Sequence, residues 1–235
     1  MRLLAIATGL FALSLGFNLG WLVLAGPGWW ALPAALFGWY VADALSGIIH
    51  FYLDYRPCTP GVGLDRLFAY GGSRGSAEYQ QLRAATMARI SPFERVVFDF
   101  KCHHPRPNVL GRRSFLSLVG NTVLFAALPL SLLVNGLCLL LPPPGWALAF
   151  MVTVLIGGTL SNYAHGCLHR ERNPWFVAPL RRVRLLMTPR AHGVHHATLD
   201  RDFSTLNGWS NPLVNVLFRV LRRSGRLDPA GLEPA

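Results

Sequence analysis

The chain has 235 residues, a mean hydropathy of +0.35 and only 14% charged residues, which sets it apart from ordinary soluble globules. Its net charge of +11 invites a nucleic-acid reading, but the basic residues form no aromatic-interleaved stripe and no nucleic-acid motif appears. The cysteines, Cys58, Cys102, Cys138 and Cys167, show neither a CxxC pair nor a close-spaced framework, so nothing in them calls for a disulfide scaffold, and a reducing compartment is allowed.

Leu3 to about Ala25 is an unbroken apolar run, longer than a signal-peptide core and closed by no A-x-A pattern. It reads as a first transmembrane helix, over about 3–25, because roughly 20 apolar residues suffice to cross the hydrocarbon core. The turn Ala25–Trp30, AGPGWW, has Trp21 close before it and holds Trp29 and Trp30, an aromatic belt at a membrane surface. A second span follows over about 31–51. It contains Asp43, the one charged residue within the four proposed spans; intramembrane carboxylates are costly and by default functional. Asp43 reads as a packing carboxylate or one behind the ligands. Seven residues on comes His50, and four further Asp54, an HxxxD pair on one helix face.

Pro57, Pro60, Gly61 and Gly63 end that helix. The polar segment 54–113 follows, and within it Phe93, Val96, Val97 and Phe100 have helical spacing and lead into His103 and His104. Neighbouring residues on a helix point about 100° apart, so this pair can serve two ions, or one ring can ligate while the other packs. The third span covers about 115–141, PPPG at Pro142–Gly145 is a turn, and the fourth span, about 146–164, runs into His165 and His169. The segment 165–235 then carries His192, His195 and His196, whose i, i+3, i+4 spacing converges three imidazoles on one small volume. From Leu213, the apolar positions Leu213, Val216, Leu217 and Val220 with flanking arginines suit either a helix lying on the membrane or one packed on the polar part. The last dozen residues read as a loose tail.

No Lys or Arg lies between Arg2 and Tyr55, and none between Ser114 and Leu168. Basic residues stay cytoplasmic, so both termini and both polar segments are expected on the cytoplasmic side. The expectation is therefore an all-α, multi-pass integral membrane protein, one domain over 1–235, with four transmembrane helices and a cytoplasmic histidine-rich cap. All eight histidines then lie on one side.

A lone histidine usually serves as a hydrogen-bonded structural group. Here four spaced clusters exhaust the histidine content. A single zinc site needs three or four ligands, whereas His50, Asp54, His103, His104, His165, His169, His192, His195 and His196 make nine candidates and more naturally surround two metal ions. Imidazole suits iron, zinc, copper and nickel, so ligand type leaves the metal open. A membrane metal-handling or transport protein would instead place its ligands near the bilayer midplane.

HFYLD from His50, CHHPRP from Cys102, HGCLH from His165 and PRAHGVHHATLDRDFSTLNGWSNPL from Pro189 resemble the lipid desaturase family of the Kua or CarF type, which includes plasmanylethanolamine desaturase. The likeness runs from about Asp43 to Arg223. It departs from the family in the loop Gly61–Ser91 and in having Phe51 where the family has tryptophan. The resemblance implies that the nine residues are catalytic metal ligands for two Fe ions, with O2 as co-substrate and an external electron donor. Asn121 is similar to an asparagine that follows the HH box. The implied activity is formation of the vinyl ether bond of plasmalogens on a membrane ether phospholipid. The rival within the resemblance is a trans-3 acyl desaturase acting on phosphatidylglycerol. No haem or iron–sulfur motif is present, so the donor is expected to be a separate redox protein. Arg181, Arg182 and Arg184 are the candidates for holding the lipid phosphate.

Overall fold

The computed structural model of the chain describes residues 2–234, all helix, turn and coil, with no strand among the described residues. Four helical stretches are long and apolar enough to cross a membrane: Arg2–Leu24 (α1), Ala31–Tyr55 (α2), Phe115–Leu140 and Gly145–Leu168. At 1.5 Å per residue the shortest is about 35 Å long, more than the hydrocarbon thickness. Between the second and third lie Leu64–Ala69 (α3), Ala77–Met87 (α4), Pro92–His103 (α5) and Pro107–Gly111 (α6).

The third stretch is built as Phe115–Thr122 (α7), a π-helical turn Val123–Ala127 and Leu128–Leu140 (α8). Pro129 lacks an N–H, and its ring crowds the carbonyl four residues back, at Phe125; the wider π turn just upstream relieves that crowding. After Gly145–Leu168 (α9) come Val177–Arg182 (α10), Pro189–Thr198 (α11) and Asn211–Arg223 (α12).

Two interfaces position the site. In the first, α2 packs along α9 at small residues: a Cβ on Gly38 would come within 2.6 Å of the Phe150 carbonyl oxygen, and one on Gly157 within 2.7 Å of the Ala42 methyl. With lipid on the outside as apolar as any leucine, such close backbone approach is what holds helices together. The two helices end on the same side, carrying His50 and Asp54 in the last two turns of α2 and His165 in the last turn of α9. In the second interface, α1 and α8 are joined by a buried polar network. Ser14 Oγ lies 2.8 Å from Ser131 Oγ, Ser131 Oγ donates to Asn18 Oδ1 (2.6 Å), and Asn135 Nδ2 donates to the Ser14 carbonyl (3.0 Å).

In the C-terminal part, the helix from Asn211 keeps features of both readings given for it, and the expectation of a loose tail needs correction. Val214 and Phe218 of α12 are buried with Phe51, Tyr55 and Phe203, while Leu213, Val216 and Val220 stay exposed. The helix thus has one broad apolar face: its Val214, Leu217, Phe218 and Leu221 edge packs on the cluster, and its Leu213, Val216 and Val220 edge stays exposed. The tail is docked: Leu227 joins the same cluster and the Gly231 backbone lies against the Tyr55 carbonyl, leaving no room there for a side chain.

Candidate metal centre

Four local structures deliver the donors. His50 and Asp54 lie one turn apart on α2. α5 begins at Ser91, whose hydroxyl accepts from Glu94 N–H, with Pro92 in its first turn, and it ends at His103 with His104 as its C-cap. His165 is in the last turn of α9, and His169 caps it. α11 begins at Thr188, which accepts from Ala191 N–H, and stops at Leu199, held left-handed at φ 56°. That reversal returns the chain so that the Arg201 carbonyl lies 3.1 Å from His195 Nδ1.

The nine side chains come together in two groups. His103, His165, His169, His192 and His196 form one and His50, Asp54, His104 and His195 the other, the donor atoms of each lying within 4.8 Å of one another. The adjacent pair His103–His104 divides between them, as does His195–His196. In the second group, Asp54 Oδ2 lies 3.4 Å from His50 Nε2, 3.5 Å from His104 Nε2 and 3.4 Å from His195 Nε2. In the first, His192 Nε2 lies 3.1 Å from His165 Nε2 and 3.2 Å from His196 Nε2. Donors about 2.1 Å from a divalent ion stand about 3.0 Å apart in an octahedron and about 3.4 Å apart in a tetrahedron. The observed spacings are those of ligands around a common centre.

Charge and hydrogen bonding agree. Both Asp54 oxygens, His50 Nε2, His103 Nε2 and His169 Nε2 are buried without a hydrogen-bond partner among the described residues. A buried carboxylate left so costs several kcal/mol unless a cation compensates it, by the order of magnitude for unpaired buried charge. Burial first, then the neighbouring imidazoles, holds His104 down to about 2, His196 to about 3 and His169 to about 4, and pushes His103 and His192 well below the ordinary range. These rings are neutral at physiological pH, with lone pairs to donate. His103 Nδ1 contacts the Phe100 carbonyl and His195 Nδ1 the Arg201 carbonyl. Each contact fixes the tautomer and leaves Nε2 facing the cluster, as metal-bound histidines are commonly held. The residues fit a pair of metal ions.

Other candidates fall elsewhere. Cys102 and Cys167 belong to neither group, and burial pushes the Cys102 thiol up to about 12, so it is no thiolate. Asn121 is exposed. Arg181 donates to the Met187 and Cys167 carbonyls, at 3.0 and 3.1 Å, which commits its guanidinium to the backbone; Arg182 and Arg184 are exposed. Sequence reasoning missed Lys101. It is 1% exposed, and its Nζ donates to the Asp54 carbonyl (2.8 Å) and to the Gly231 carbonyl, tying the docked tail to the end of α2 behind the Asp54 ligand. A cavity of about 580 Å³ lined by Lys101, His104, His196 and Leu199 opens onto one histidine of each group.

Four membrane-length helices, two of which end in a largely buried cluster of eight histidines and one carboxylate, define a membrane protein with a constellation that could hold metal. The lipid desaturase domain matches residues 92–224, more than half of the chain, and the chain belongs to the lipid desaturase family. It is 28% identical over 194 residues to a plasmanylethanolamine desaturase of Myxococcus xanthus, an alignment that covers 81% of this chain and 58% of that protein. No solved structure matches the chain.

Proposed function

We propose that this chain is an O2-dependent di-iron lipid desaturase that forms the vinyl ether bond of a plasmalogen from a membrane ether phospholipid. The observation that carries the reading is the division of nine donors into groups of five and four, within a chain of the lipid desaturase family. The substrate comes from the Myxococcus relative.

In this reading His103, His165, His169, His192 and His196 hold one iron, and His50, Asp54, His104 and His195 the other. Bound there, iron supplies O2 activation and hydrogen abstraction from an unactivated C–H bond, chemistry outside the reach of side chains. The protein's part is to hold the donors neutral and correctly tautomeric, to keep water out by burial, and to seat two adjacent chain carbons beside the cluster. The lipid gives up two hydrogens and O2 is reduced to two waters; the remaining two electrons come from a separate redox protein and the remaining two protons from solvent. The basic segments 54–113 and 165–235 support a cytoplasmic placement for the cluster and both termini, with the chain forming one domain.

Expression in a host without plasmalogens tests this. The expected outcome is an acid-labile vinyl ether lipid with the unmodified chain and none with His192→Ala, which still inserts in the membrane. Unchanged vinyl ether output from His192→Ala refutes the ligand assignment, and a trans acyl double bond in its place refutes the substrate.

A further inference from the structure

A second cavity, of about 400 Å³, lies where α7 begins and α9 ends, and it reaches His169 of the five-histidine group. Its lining includes Arg112, Arg113, Arg170, Arg172 and Glu171. Arg170 is fixed as a wall: it donates to the Gly111 carbonyl (2.9 Å) and the Arg113 carbonyl (3.0 Å) and lies over the Tyr163 ring at 5.1 Å. Arg113 is paired with Asp99 at 2.7 Å. Arg112 and Arg172 donate no side-chain hydrogen bond and form no ion pair among the described residues. With Glu171 and Asp99 set against the four arginines, the cavity keeps two positive charges.

Its level in the bilayer follows from its neighbours. Arg113 and Ser114 immediately precede α7, and Arg170 follows α9 by two residues, so the guanidiniums sit at the ends of two membrane-length helices. Tyr163 packs on Phe115 (5.1 Å) toward the apolar side, and Trp175, 86% exposed, follows in the same loop as an interfacial anchor. That is where phospholipid phosphates lie.

We propose that this cavity is the headgroup site of the lipid substrate, binding its phosphodiester through Arg112 and Arg172 while Arg170 shapes the wall. The proposal rests on the lipid desaturase reading above. In an ether phospholipid the phosphate is only a handful of bonds from the first chain carbons, so a phosphate site must border the metal ligands, as His169 does this cavity. Guanidinium offers the paired donors that phosphate oxygens accept.

The test is binding, not turnover, so it stands apart from whether the bound lipid is desaturated. Purified full-length protein is titrated with a 1-O-alkyl-2-acyl glycerophosphoethanolamine, with the matching 1-O-alkyl-2-acylglycerol that lacks the phosphate, and with inorganic phosphate. The unmodified protein should prefer the phospholipid, and Arg112→Gln with Arg172→Gln should weaken it about tenfold, the scale of one lost charge-assisted pair, leaving the phosphate-free lipid and the metal content unchanged. Arg112→Lys with Arg172→Lys should recover part of the loss. Equal binding of the two lipids by the unmodified protein, or a double variant that binds the phospholipid normally, overturns the proposal. Inorganic phosphate that binds as tightly and is not displaced by the phospholipid makes this a free-anion site and overturns it as well.

Discussion

The carboxylate of Asp43 and Ser210 share two hydrogen bonds: Oδ2 accepts from the Ser210 N–H at 3.0 Å and from its hydroxyl at 2.6 Å. The other oxygen, Oδ1, accepts from the N–H groups of Asn207 (2.8 Å) and Gly208 (3.0 Å). Asp43, in the middle of α2, thus folds the NGWS turn onto that helix, and the turn is the chain's route out of the histidine helix α11. Asp43→Asn puts an amide donor where a backbone donor already points. It should cost about 3 kcal/mol, against about 1 for Ser210→Ala, which removes only the hydroxyl. Thermal unfolding in detergent checks this; equal losses contradict it.

The close passage of α2 and α9 makes a paired prediction. At Gly157 a new Cβ meets the Ala42 methyl, whereas at Gly158 nothing lies within 4 Å. Gly157→Ala should cost about 1–3 kcal/mol through overpacking, and Gly158→Ala should be neutral or stabilise by up to about 1 kcal/mol, since alanine favours helix. Because α2 carries His50 and α9 carries His165, with rings 4.9 Å apart, Gly157→Ala should also weaken metal retention. A Gly158→Ala protein that loses as much as Gly157→Ala would count against this packing.

The buried imidazoles set the pH response of the metal-free protein. His104, His169 and His196 are held to about 2, 4 and 3 in the fold, against 6.5 when unfolded. Lowered folded values mean that the unfolded chain takes up protons first. Their contribution is therefore fully present above about 6.5 and is lost as pH falls toward 4 and below. The midpoint of thermal unfolding of chelator-treated protein should be level from pH 8 to 7 and decline steadily below about 6.5. A flat profile down to pH 5 contradicts neutral burial of these rings.

Much of this architecture was legible in the residues. Apolar runs of membrane length are local signals, and so are the i, i+4 pairs His50–Asp54 and His165–His169, because one helix fixes both members. What was not legible depends on partners distant in sequence. Lys101 stands out in the sequence only as the single lysine beside 21 arginines; its burial comes from Gly231, 130 residues away, docking over it. The same docking turns an apparently loose tail into cover for the end of α2. Arg181 illustrates the converse: as a charge near the histidines it suggested phosphate binding, but the fold had already committed it to two backbone carbonyls. How the pairs His103–His104 and His195–His196 divide between two groups is likewise tertiary, since an adjacent pair on a helix is compatible with either sharing or splitting.

The most direct test of the central claim is the metal-to-protein ratio after anaerobic reconstitution with ferrous iron. Two irons per chain are expected in the unmodified protein. About one should remain in either Asp54→Ala or His169→Ala, because each variant removes a donor from one group and spares the other. A single ion in the unmodified protein, or loss of all metal from both variants, would mean that the nine donors form one centre and that the two-site account is wrong.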